Sequence, residues 1–165
     1  MSLGERLHNT AALMAASASS VLVVHGPNLN LLGQREPEVY GRQTLADLDA
    51  SLVALGERLG LAVSCRQASG EGAIIDLLHE AGRDFGGVVI NPGGYTHTSV
   101  AIADALRAIG VPAVEVHLSN LYARERMRHR SLTGAACEGV IMGLGASSYH
   151  LALHHLAARL AASAA

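Results

Sequence analysis

The sequence predicts an α/β fold, a flavodoxin-like three-layer sandwich around a five-stranded parallel sheet. Three observations carry this. From residue 20 onward, short β-branched runs alternate with longer segments of helical periodicity. The strand-like runs are nearly continuous in apolar residues, as strands covered on both faces require. Half of the 165 residues are apolar, yet there is one Phe and no Trp, so the core is aliphatic; 18 glycines without a repeat fit many tight turns.

The elements follow in order. Residues 21–25 form a first strand, stopped by Gly26-Pro27. Residues 44–59 form a helix with Leu45, Leu48, Leu52 and Leu55 on one stripe, a capping box of Thr44 and Asp47, and Gly60 as its stop. A second strand covers 61–67 and a second helix 71–83, bearing Ile74, Ile75, Leu78 and Ala81. The third strand is 87–91, followed by a helix over 99–109. Gly110-Val111-Pro112 turns the chain into a fourth strand at 113–117. After a basic segment come a fifth strand at 139–142 and a last helix at 146–162. The length fits one α/β domain over 20–165, with residues 1–19 as an Ala/Ser-rich tail. Ala16-Ser17-Ala18 resembles a signal-peptidase site, but the apolar stretch before it is short and Glu5 offsets Arg6, which argues against a secretory leader.

Charge and cysteine content narrow the function classes. Twelve basic against 14 acidic residues give a net charge of -2, which offers no general attraction to nucleic acid or an anionic membrane. No apolar run reaches the length of a membrane span. Cys65 and Cys137 form no metal or redox spacing motif and read as reduced thiols, consistent with a cytoplasmic protein. His25, His97, His117 and His129 show no compact metal-ligand spacing either. Gly143-Leu144-Gly145 lacks the third glycine and the later acidic residue of a dinucleotide site, since Ser148 stands in the glycine's place.

In sheets of this kind ligands bind beyond the carboxyl ends of the strands, which directs attention to three loops. The stretch 26–41 is long for a strand–helix connection, and long loops in compact domains are often lids. On residue features alone its Arg35 and Tyr40 read more plainly as a solvated arginine and a packed loop tyrosine. The stretch 91–99, Asn-Pro-Gly-Gly-Tyr-Thr-His-Thr-Ser, is a Gly-rich turn entering a helix, with Thr98 or Ser99 as cap. Such a helix start suits an anion, although capped Gly turns are common without one. In 114–120, Glu115 and His117 share one face of a strand. A carboxylate inside a central strand needs a partner, so a Glu115–His117 contact is expected, one that would orient the imidazole as a candidate general acid. A satisfied structural histidine is the plainer alternative. Of Arg124, Arg126, Arg128 and Arg130, one or two could reach an anionic ligand.

Taken together, His-Gly-Pro-Asn-Leu-Asn-Leu-Leu-Gly at 25–33, Arg-Glu-Pro-Glu-Val-Tyr-Gly at 35–41, Ile-Asn-Pro-Gly-Gly-Tyr-Thr-His-Thr-Ser at 90–99, Glu-Val-His-Leu-Ser-Asn at 115–120 and Gly-Val-Ile-Met-Gly-Leu-Gly at 139–145 resemble the type II 3-dehydroquinate dehydratases. The resemblance spans about residues 21–156. It implies a cofactor-free, metal-free hydro-lyase that takes 3-dehydroquinate to 3-dehydroshikimate through an enolate, in the shikimate pathway or in quinate breakdown. By that resemblance Tyr40 is the base. A free tyrosine titrates near about pH 10, and lowering that by two units takes roughly 2.7 kcal/mol, a task matching Arg35. Asn28 matches the asparagine that helps stabilise the enolate, His117 the general acid and Glu115 its orienting carboxylate. Asn91, His97, Asp104, the backbone at Leu118 and Ser119, and Arg128 match substrate-holding positions, with Arg124 in support. The resemblance also implies a homo-oligomer of trimers grouped into a dodecamer. Ala68-Ser69-Gly70 departs from the family's usual Ser-Asn-His run, Tyr122 stands where the family often has His, and Gln34 occupies a variable lid position. A flavodoxin-like binding module without catalysis is the rival reading, and it leaves Arg35, Tyr40 and the long loop unexplained.

Overall fold

The computed structural model describes residues 19–33 and 43–164. Five strands, β1 (Ser20–His25), β2 (Ala62–Gln67), β3 (Gly87–Asn91), β4 (Ala113–His117) and β5 (Gly139–Met142), form one parallel sheet in the order β2-β1-β3-β4-β5. This is the flavodoxin-like order expected from the sequence. Four helices cover it: α1 (Leu45–Leu59), α2 (Glu71–Asp84), α3 (Val100–Ala108) and α4 (Ser147–Ala164). Every residue of β1, β3 and β4 is buried, whereas the edge strands β2 and β5 are only partly so.

The pleat divides the core in two. Val21 and Val23 pack with Leu48 and Leu52 of α1 and Tyr149, Leu153 and Leu156 of α4. Leu22 and Val24 face the other way, onto Ile74 and Leu78 of α2 and Ile102 and Leu106 of α3. Two-residue alternation in one apolar strand thus feeds both layers. Local chemistry sets the helix ends. The Thr44 hydroxyl accepts from Asp47 N–H at 3.2 Å while Asp47 accepts from Thr44 N–H at 3.0 Å, and Gly60 closes α1 at φ 72°. Ser99 caps α3 by accepting from Ile102 N–H at 2.9 Å.

Register decides where the site lies. His25 pairs with Asn91 across β1 and β3, and Glu115 lies beside Ile90, so the strand ends carrying His25, Asn91 and His117 meet at one edge of the sheet. The connections beyond that edge contain short 3-10 turns at Leu29–Leu31, Gly93–His97, Leu121–Ala123 and Arg126–Arg128. Among the described residues no helix is long and apolar enough to cross a membrane.

Candidate active site

A cavity of about 240 Å³ opens beyond the carboxyl ends of β1, β3 and β4. Its floor is the junction of the first two. Gly26 N–H donates to the Asn91 carbonyl at 2.8 Å, and a Cβ at Gly26 would lie 2.6 Å from the carbonyl carbon of Pro92, so only glycine lets the two chain ends touch. Immediately beyond, Asn28 adopts φ 70°, the one non-glycine among the described residues in the left-handed region. Its side chain caps nothing and lines the cavity.

Opposite stands the histidine of β4. His117 is 5 % exposed and its Nε2 lies 2.8 Å from Oε1 of Glu115, which is fully buried. The expected strand-face pair is therefore formed. Sequence reasoning missed what holds the carboxylate: Ser131 Oγ donates to Oε1 at 2.8 Å, and the Thr133 hydroxyl makes a short bond to Oε2. Both lie in the segment leading to β5, and Ser131 in turn accepts from Gly134 N–H at 2.7 Å. A buried carboxylate with three donors has one available orientation, and so does the imidazole it holds.

The turn after β3 supplies the third wall. The Asn91 side-chain oxygen accepts from Gly93 N–H at 3.1 Å, and His97 places Nδ1 2.8 Å from the Arg130 carbonyl. That bond makes Nδ1 the protonated nitrogen of His97 and tethers the basic segment to this turn. Leu132 N–H reinforces the tether by donating to the Thr96 carbonyl at 2.8 Å. Gly93, Gly94 and His97 of the 3-10 turn line the cavity, whereas Ser99 and Val100 do not, because the turn is interposed before the helix begins. The loop 68–70 braces the turn from behind, with the Tyr95 hydroxyl donating to the Ser69 carbonyl at 3.3 Å.

Leu118, Ser119, Arg124 and Arg128 complete the lining, with Pro27, Leu29, Leu31, Leu32 and Leu121 as its apolar part. Arg128 is aimed by Glu125, at 2.9 Å from its Nε; Arg126 and Arg130 lie outside the lining. Of the anticipated residues, Asn28, Asn91, His97, His117, Leu118, Ser119 and Arg128 converge on one cavity, with Glu115 behind His117. Asp104 does not join them within its own chain. It sits on the exposed face of α3, 2.9 Å from Arg107. Arg35 and Tyr40, with Gln34, lie outside the described residues, as does the tail up to residue 18.

A second polar cluster adjoins the site. Ligand-type atoms of His25, Asp49 and Cys65 lie within 4.8 Å of one another. The Cys65 thiol is pushed up to about 12, chiefly by burial and further by the Asp49 carboxylate, so it presents a neutral S–H. His25 Nε2 is engaged by Asp49 at 2.9 Å, and its Nδ1 lies 3.2 Å from the Tyr149 hydroxyl. With both ring nitrogens in hydrogen bonds and the sulfur protonated, this cluster is a hydrogen-bonded network rather than a ready set of ligands.

A polar cavity beyond the carboxyl ends of a parallel sheet, with a carboxylate-oriented histidine in its wall, defines a small α/β enzyme of flavodoxin-like fold. The profile of the dehydroquinase class II family matches residues 19–157, and the chain belongs to that family. A 3-dehydroquinate dehydratase of Rhizobium johnstonii is 53 % identical over 137 residues, which cover 83 % of this chain and 94 % of that protein. One of Chelativorans sp. is 54 % identical over 144 residues, covering 87 % of this chain and 99 % of that protein. Among solved structures, a type II dehydroquinase from Propionibacterium acnes aligns with a TM-score of 0.82 at 46 % identity, over 85 % of this chain and 97 % of that one.

Proposed function

We propose that the chain is a 3-dehydroquinate dehydratase acting by the two-step elimination its family resemblance implies. Tyr40, its phenolate favoured by Arg35, removes a proton beside the ketone. The enolate so formed is stabilised near Asn28. His117, held by Glu115, then gives a proton to the departing hydroxyl, so that water leaves and a conjugated enone remains. Asn91, His97, the Leu118–Ser119 backbone and Arg128 hold the substrate's hydroxyls and carboxylate.

The observation that carries this reading is the Glu115–His117 pair. Its carboxylate has its orientation fixed by Ser131 and Thr133, and its histidine reaches the cavity that Asn28 also lines. Because Glu115 engages Nε2, Nδ1 is the nitrogen left for a ligand, and a general acid must offer a proton in a fixed direction. Asp104 serves this reaction only across a contact between copies, as the implied oligomer would provide. The test is direct. Protein mixed with 3-dehydroquinate should give a rising ultraviolet absorbance from the enone, undiminished by EDTA. No absorbance change at micromolar enzyme would favour the non-catalytic binding module.

A further inference from the structure

Behind the cavity a chain of side chains runs from the surface to Asn91, and none of its other members lines the cavity. It begins at Asp49 on α1, passes through His25 at the end of β1 and Tyr149 in the first turn of α4, and ends at Asn91 at the end of β3. His25 and Tyr149 are fully buried and Asn91 is 4 % exposed, while the Asp49 side chain is 32 % exposed.

The direction of every hydrogen bond in this chain can be deduced. The Gly93 backbone N–H can only donate, so the Asn91 atom 3.1 Å away is its oxygen. The amide nitrogen therefore faces Tyr149, and at 3.0 Å it donates to the phenol oxygen. Burial pushes the Tyr149 hydroxyl well above its ordinary range, so it keeps its proton. With its oxygen already accepting from Asn91, the phenol directs that proton at His25 Nδ1, 3.2 Å away. Nδ1 is then the bare nitrogen, and Nε2 carries the hydrogen that Asp49 accepts at 2.9 Å. Four bonds point the same way, from a backbone amide at one end to a carboxylate at the other.

We infer that Asp49, His25 and Tyr149 are positioning residues that fix Asn91 as a hydrogen-bond donor to the substrate. This rests on the reading of Asn91 as a substrate contact. An asparagine amide can present either of its ends to a ligand, and the two ends recognise opposite groups. Here Gly93 fixes the oxygen and Tyr149 takes one amide hydrogen, which leaves the second amide hydrogen for the cavity. The group recognised there is an acceptor oxygen, a hydroxyl or carboxylate on the ring substrate. Rotating the amide would set its nitrogen against the Gly93 N–H, a clash of donors that the chain forbids from both ends.

Steady-state kinetics on the full-length protein test this with Asn91→Ala, Tyr149→Phe, the double variant and Asp49→Ala. Loss of one ground-state hydrogen bond corresponds to about a tenfold rise in KM. Asn91→Ala and Tyr149→Phe should each raise KM by about that factor with kcat within about threefold, and the double variant should be no worse than Asn91→Ala. Asp49→Ala, at a side chain 32 % exposed, removes the acceptor for His25 Nε2–H, should raise KM by a few fold and serves if Tyr149→Phe does not fold. Nitrogen NMR of His25 should show the Nε2–H tautomer. If Asn91→Ala leaves KM unchanged, the substrate contact itself is wrong. If Asn91→Ala raises KM but Tyr149→Phe and Asp49→Ala do not, or their effects add to it, the relay is overturned. An Nδ1–H tautomer would overturn it as well.

Discussion

At the scale of single residues, the proposed chemistry turns on two groups that work only when others constrain them. Tyr40 as base requires a phenolate, so Tyr40→Phe should lower kcat by about 10² to 10⁴ while KM changes little. Turnover near the parent value would remove the base assignment. His117 depends on a carboxylate that has three donors, and the least obvious of these is Thr133. Thr133→Val keeps the shape and deletes one donor to a fully buried carboxylate oxygen, a change that costs about 1 to 3 kcal/mol. The expected result is a lower melting temperature and a kcat several fold lower with KM held, because the imidazole loses its fixed direction. A variant that melts lower but keeps its full kcat would limit Thr133 to a folding role.

At the scale of elements, the decisive device is the contact between the ends of β1 and β3. Gly26→Ala places a methyl 2.6 Å from the Pro92 carbonyl carbon, and backbone cannot yield there as a flexible side chain can. The strand ends must part, which moves Asn28 away from Asn91. The expected loss in kcat/KM is at least about tenfold in a protein that still folds, checked by kinetics beside circular dichroism; parent-like kinetics would mean that the junction tolerates the shift. The elements themselves were legible because their signals are local. Continuous apolar runs marked β1 and β3, the Thr44–Asp47 box and Gly60 bounded α1, and two-residue spacing paired Glu115 with His117. Partners remote in sequence left no such signal. Tyr149 lies 124 residues from His25, and Thr133 is 18 from Glu115, so neither could be matched to its partner by spacing. Pro92, at φ -71° and ψ -4°, likewise precedes a 3-10 turn at Gly93–His97 that no local signal separates from the helix start at Ser99.

At the scale of the whole molecule, one expected site residue is out of place until a second copy is considered. Asp104 is exposed on α3, and Val100, one helical turn earlier on the same face, is 61 % exposed. An apolar residue beside a carboxylate that the proposed reaction uses suits a face that is covered by another chain. The proposed contact would place Asp104 of one copy against the cavity of another, and subunit mixing separates this from a role within one chain. On this proposal His117→Ala spoils a chain's own cavity, while Asp104→Ala spoils only the cavity its helix is lent to. Each variant alone should be strongly impaired. Refolded together, however, random assembly gives roughly a quarter of cavities an intact His117 from one chain and an intact Asp104 from its neighbour. Activity should then recover to about that fraction of the parent's, with sedimentation showing assemblies larger than one chain. If Asp104 acts within its own chain, no mixture can unite the two intact groups in one cavity, and the mixed sample stays as impaired as the separate variants.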